Sequence, residues 1–313
     1  MVHGSNNVEI VEVAPRDGLQ NEDTLVSTGT KISLIERVRT AGARRVEAVS
    51  FAHPDKVPQM ADAEQVMAGV SCSADMRYAG LVLNRRGLDR ALRARVDEIT
   101  MVVVVTDTFS LRNQGMKTAA ALDSWAEIAA AAKAEGLQAN VILSAAFGCP
   151  FEGEVAPQRV LQVASEAAQS DPDELAFGDT IGVAVPDQVR TIVDTVREAE
   201  PDLSLRCHFH NTRNTGYANA LAAVEAGVNV LDASVGGIGG CPFAPAATGN
   251  IATEDLVYLL QRSGYETGLD LEAMSATGTW ISKRLGRPTP ALLGRAGGFP
   301  PTRGGPVQGS ERL

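Results

Sequence analysis

From residue 8 onward, short runs of β-branched residues alternate with Ala-rich stretches whose apolar positions recur at helical spacing, the pattern of βα units around a parallel sheet. The runs predict eight strands, at 8–13, 45–49, 77–83, 98–105, 139–143, 174–177, 204–209 and 230–232. Eight helices are predicted near 30–41, 59–69, 85–94, 117–135, 157–169, 187–199, 215–226 and 253–262. Eight units of this length have the size of a (β/α)8 barrel. A doubly wound open sheet is disfavoured, because the first strand runs into Ala14-Pro15-Arg16-Asp17-Gly18 and not into a Gly-rich phosphate turn. The expected fold is therefore an α/β TIM barrel over residues 1–263. A helical extension follows at 264–287, then a Pro- and Gly-rich tail at 288–313 that is expected to be flexible.

Composition narrows the function. With 313 residues, 44% of them hydrophobic, the chain can bury a large core. Its net charge of −10, from 28 basic and 38 acidic residues, offers no footprint for nucleic acid or an anionic membrane. The densest apolar run, 99–105, has strand length, far short of the roughly 18 residues of a spanning helix. Cys72, Cys149, Cys207 and Cys241 lie far apart, so neither a disulfide framework nor a zinc knuckle is indicated. The N-terminus leaves no room for a signal or transit segment before the first strand, and a cytoplasmic location is expected.

In a TIM barrel the active site forms where the loops leave the C-terminal ends of the strands, and here those ends are polar. His208 and His210 are two apart on a predicted strand, so their side chains share a face and can share an ion. Asp17, expected from the opposite side of the barrel, and the amide of Asn250 would add oxygen ligands. Two imidazoles and two oxygens suit Mg²⁺, Mn²⁺, Co²⁺ or Zn²⁺. Arg16 places a permanent cation beside this site, either to stabilise a developing enolate or to form an ion pair with Asp17.

Glu47, on an otherwise apolar strand, needs a partner such as Arg16 or a role in proton transfer if it points inward. Asp179 has two readings as well: it holds a histidine ligand, or it caps the following helix. Gly236-Gly237-Ile238-Gly239-Gly240-Cys241-Pro242 reads as a mobile lid, with Cys241 at its tip as a proton carrier or merely a small residue.

These segments together resemble 3-hydroxy-3-methylglutaryl-CoA (HMG-CoA) lyases, members of the DRE-TIM metallolyase superfamily. The resemblance runs from about Val8 to Leu260. It rests on the stretch from Val11 through Arg16-Asp17-Gly18-Leu19-Gln20-Asn21-Glu22, on Val57-Pro58-Gln59-Met60, on Gly148-Cys149-Pro150-Phe151-Glu152-Gly153 and on Gly178-Asp179-Thr180-Ile181-Gly182. It continues through Gly237-Ile238-Gly239-Gly240-Cys241-Pro242-Phe243-Ala244 to Thr248-Gly249-Asn250-Ile251-Ala252-Thr253-Glu254-Asp255.

The resemblance implies a divalent cation, Mg²⁺ or Mn²⁺, held by Asp17, His208, His210 and Asn250. It implies a catalytic set of Arg16, Asp17, Glu47, Asp179, His208 and Cys241, an acyl-CoA substrate and a homodimer. The implied reaction cleaves a 3-hydroxyacyl-CoA to acetyl-CoA and acetoacetate or a related keto acid, as in leucine breakdown. Two departures bear on the substrate. The family's Asp-Thr-Tyr-Gly is here Asn211-Thr212-Arg213-Asn214-Thr215-Gly216, and Ala145-Ala146-Phe147 replaces a stretch that commonly holds a cysteine. Competing readings are a condensing enzyme or pyruvate-forming aldolase of the same superfamily, and a catalytically silent metal-binding barrel.

Overall fold

The computed structural model describes residues 6–72, 74–240 and 249–300. Its strands are β1 (Glu9–Glu12), β2 (Arg45–Ser50), β3 (Arg77–Val82), β4 (Glu98–Val104), β5 (Gln138–Ser144), β6 (Glu174–Asp179), β7 (Leu205–Phe209) and β8 (Val230–Ala233). They close in sequence order, and parallel pairing of β1 with β8 completes a TIM barrel. The helices are α1 (Thr28–Thr40), α2 (Ala63–Gly69), α3 (Arg85–Ala94), α4 (Asp107–Gln114), α5 (Thr118–Ala134), α6 (Pro157–Ala168), α7 (Pro186–Ala199), α8 (Gly216–Glu225), α9 (Thr253–Arg262), α10 (Leu271–Leu285) and α11 (Leu293–Ala296). No helix among the described residues is long and apolar enough to cross a membrane.

Local chemistry sets the helix boundaries. Ser27, Asn84 and Asp270 accept the N–H groups of Thr30, Gly87 and Ala273 with their side chains, satisfying donors that the first turns of α1, α3 and α10 leave free. The main hydrophobic core lies between the sheet and the helices, and it includes Leu34, Ile35, Leu88, Ile99, Trp125 and Phe177. Fully burying each such aliphatic side chain contributes about 1.5–3 kcal/mol. Trp125 adds an anchor between helices, donating its indole N–H to Ala167 O at 3.0 Å.

The barrel interior is built differently. A small apolar cluster of Val11, Val13 and Val230 shares it with a chain of buried charges. Arg45 donates Nε to Glu98 at 2.8 Å and grips Glu174 with both terminal nitrogens at 2.9 and 3.1 Å. Arg206 Nε then stands 3.2 Å from Glu174. Alternating sign along the chain offsets much of the desolvation cost of burying each charge.

Three features depart from the expected pattern. Helix α4 was not expected: Asp-Thr-Phe-Ser-Leu-Arg-Asn-Gln buries only Phe109 and Ser110 and carries no apolar stripe to reveal it. The run Gly236–Gly240, expected to be a mobile lid, is a packed stem. Gly236 N–H is held by Glu254 at 2.9 Å, Gly237 N–H by Ser234 O at 2.7 Å, and Gly240 O by the Asn21 amide at 2.7 Å, with Val235 and Ile238 fully buried. Cys241 and Pro242 lie outside the described residues. Within the expected flexible tail, residues 291–296 pack against the barrel: Ala291 N–H bonds to Gly236 O at 3.1 Å, and Asp255 accepts the N–H groups of Leu292 and Leu293 at 2.9 and 2.8 Å.

Candidate active site

Pro15 opens a five-residue π-type turn, Ala14–Gly18, directly after β1. Val13 O accepts from both Arg16 N and Gly18 N, which bends the chain at the barrel mouth and turns Arg16 and Asp17 inward. Arg16 donates Nε to Glu47 at 2.7 Å and Nη1 to Asp17 at 2.8 Å. Glu47 is therefore the inward partner that the sequence required. Arg16 forms the ion pair with Asp17 too.

The cation ligands expected from sequence come together. One ligand atom each of Asp17, His208 and His210 lies within 4.8 Å of the others. His208 is on β7, and His210 follows that strand in a bridge with Asn250. Asp17 is not across the barrel, as expected, but two strands away, because ring closure puts β8 between β1 and β7. Asn250 donates its amide to Asp17 at 2.8 Å and to Ile238 O at 3.0 Å, while its buried Oδ1 has no partner. Gly239 permits this approach. It has φ +105, and a Cβ there would lie 2.6 Å from Asn250 Nδ2.

Hydrogen bonds fix which nitrogens are free. His210 Nδ1 lies 2.8 Å from Thr180 O, an acceptor only, so Nδ1 carries the proton and Nε2 the lone pair. His208 Nδ1 lies 3.1 Å from Asp232 Oδ2, with the same consequence. The two Nε2 atoms are 3.3 Å apart, and Asp17 Oδ2 is 3.9 Å from that of His208. Electron pairs aimed at one another across such distances repel unless a positive charge sits among them.

The charges agree with this. Burial would raise Asp17, yet Arg16, His208 and His210 outweigh it and hold the carboxyl at about 2. Burial and the neighbouring His208 push His210 down to about 4, which keeps it neutral and able to ligate. His208 runs the other way: burial penalises its charge, but Asp232 and Asp17 outweigh this and raise it, so a proton competes with a cation for its Nε2. The donor set and the orphaned Asn250 Oδ1 therefore fit a divalent cation.

Asp179 does not hold a histidine. Its carboxylate accepts the N–H groups of Val183 and Ala184 at 2.8 and 3.2 Å, bracing the loop after β6, and burial raises it to about 6. The histidine partner is Asp232, which no motif in the sequence singles out. Its signal was an acid at the end of an apolar strand next to the His208 strand in barrel order. Arg213 Nη1 caps Ile181 O and Gly182 O at 2.9 and 3.0 Å, and Asn211 Oδ1 accepts Gly216 N–H at 3.2 Å.

Comparison with known proteins places this arrangement in context. The HMGL-like family model matches residues 7–281. The (R)-citramalyl-CoA lyase of Chloroflexus aurantiacus is 44% identical, over 93% of this chain and 95% of that protein. Hydroxymethylglutaryl-CoA lyase YngG of Bacillus subtilis is 37% identical, over 91% of this chain and 95% of its own length. Among solved structures, an HMG-CoA lyase from Acinetobacter baumannii in complex with coenzyme A and 3-methylmalate superposes with a TM-score of 0.91 at 38% identity, covering 98% of this chain and 100% of that one.

Proposed function

The chain belongs to the HMGL-like family of the DRE-TIM superfamily, and from that premise we propose that it is a cation-dependent lyase splitting the C2–C3 bond of a 3-hydroxy-3-methylacyl-CoA that carries a terminal carboxylate. The supporting observation is the convergence of the His208 and His210 lone pairs on the Asp17 carboxylate, beside the unpartnered Asn250 Oδ1. These four residues would hold Mg²⁺ or Mn²⁺. The bound cation supplies a Lewis acid that polarises the substrate's oxygens.

The chain's own groups do the rest. A base takes the C3 hydroxyl proton, C3 becomes a ketone, and the C2–C3 electron pair passes to C2 as the acetyl-CoA enolate. Arg16, locked in place by Glu47, presents its charge to that enolate. Asp179 fixes the loop whose Thr180 carbonyl orients His210. For the proton returned to C2 we assign Cys241, on the sequence resemblance alone.

HMG-CoA is the first substrate proposed, with acetoacetate as the second product. Citramalyl-CoA is a second reading, favoured by the 44% identical relative. Its chain is one methylene shorter, and cleavage gives pyruvate. A coupled assay for acetyl-CoA release decides between them when run with HMG-CoA and both citramalyl-CoA enantiomers, with acetoacetate and pyruvate measured separately. Release from none of these, with CoA freed instead from acetyl-CoA plus a keto acid, would make it a condensing enzyme.

A further inference from the structure

Barrel order puts β8 beside β7, with Asp232 registered opposite His208. Asp232 Oδ2 is 3.1 Å from His208 Nδ1. Its other oxygen, Oδ1, is buried without a hydrogen-bond partner and lies 3.6 Å from Arg206 Nε. Arg206 in turn rests on Glu174, 3.2 Å away, and Glu174 is gripped by Arg45. Asp232 is thus the upper end of the barrel's internal charge chain and the only part of it that touches a proposed cation ligand among the described contacts.

We infer that Asp232, oriented by Arg206, is a positioning residue that keeps the proton of His208 on Nδ1, and so turns the Nε2 lone pair toward the cation and sets the site's affinity for it. The inference rests on the ion-site reading above. Its physical basis is that an ionised carboxylate only accepts hydrogen bonds, so the ring nitrogen facing it must donate. Arg206 matters because a cation draws oxygen toward itself and so decides how any amide placed at position 232 would turn.

This yields an ordering that simple packing would not give. In Asp232→Asn the amide oxygen turns to Arg206 and the NH₂ group faces His208 Nδ1. That nitrogen must then accept, the ring proton moves to Nε2, and an N–H points into the ion site. In Asp232→Ala nothing dictates the tautomer, and His208 samples both. The nearly isosteric Asn variant is therefore the more damaged of the two, whereas a packing role would make Ala the worse.

The test uses full-length protein stripped of metal. Mn²⁺ binding is followed by the electron paramagnetic resonance of the free ion. Ring ¹⁵N spectra of the four histidines are recorded at alkaline pH, where the rings are neutral. We expect wild-type His208 to carry its proton on Nδ1. For Asp232→Asn we expect an Nε2–H ring and an Mn²⁺ dissociation constant raised about 10- to 100-fold, with Asp232→Ala between it and wild type. Tighter Mn²⁺ binding by the Asn variant than by the Ala variant would overturn the inference. So would a wild-type His208 protonated on Nε2, a result that needs no variant to fold. If wild-type protein took up no Mn²⁺ at all, the ion-site reading itself would be the part that failed.

Discussion

Arg16 is held to Glu47 through Nε at 2.7 Å, and its Nη1 reaches Asp17 at 2.8 Å, so one planar group spans two carboxylates from different strand ends. A lysine ammonium is a single point and cannot keep both contacts while presenting charge to substrate. Arg16→Lys and Arg16→Gln are expected to lower kcat by about 10²–10³, with a much smaller change in KM, because the charge they oppose exists only in the transition state. Steady-state kinetics on purified variants checks this. A kcat equal to wild type would leave Arg16 as a structural ion pair.

Chelator treatment should abolish turnover, and Mg²⁺ or Mn²⁺ should restore it. His210→Ala should bind Mn²⁺ more weakly than wild type, since it removes one of two imidazoles from the set of Asp17, His208, His210 and Asn250. Titration calorimetry with Mn²⁺ reads the affinity directly. Full activity after exhaustive chelation, verified by metal analysis, would dismiss the ion site.

Glu254 lies under the stem after β8, and burial raises its carboxyl from 4.5 to about 8. The folded state therefore binds a proton more tightly than the unfolded state does. The stability this group contributes is complete below pH 4.5 and is lost as pH rises through about 8. Glu254→Gln keeps an acceptor for Gly236 N–H but cannot ionise. Urea unfolding should show the variant gaining on wild type as pH climbs through that window, by a total of about a few kcal/mol. Parallel stability curves for the two proteins would contradict the buried, protonated state.

Arg213 spends Nη1 on two carbonyls of the loop that also orients His210. Its removal should loosen the ion site for every substrate alike. In Arg213→Tyr, kcat/KM is expected to drop for HMG-CoA and for citramalyl-CoA by the same factor. A change in the ratio between the two thioesters would instead make Arg213 a specificity residue.

The strands were legible because each parallel strand buried on both faces reads as a β-branched run, and His208 and His210 because a period of two puts them on one face. Arg16 and Asp17 were legible as polar residues after a strand end, Glu47 as an acid on an otherwise apolar strand, and Asn250 as an amide just before the last barrel helix. Asp232 escaped because its partners, His208 and Arg206, belong to the neighbouring strand, and no spacing within one strand encodes a contact between two. The stem at Gly236–Gly240 was misjudged for a related reason: glycine density signals conformational freedom, but Glu254, Asn21 and the C-terminal segment, which pin the stem, lie elsewhere in the chain.

Asn250 meets Asp17 across a sequence separation of 233 residues, and that contact has a temporal meaning. Translation proceeds at roughly 5–20 residues per second, so Asp17 waits on the order of ten seconds or more before its partner is made. A nascent chain lacking β7 and the segment before α9 has Asp17 and none of the other proposed ligands, so an ion bound by that set would not act as a template for early folding. On the proposed ligand set, the ion would join only after the segment bearing Asn250 has been made. Starving a cell of the metal should therefore leave folded, inactive protein that added ion revives, not an aggregate.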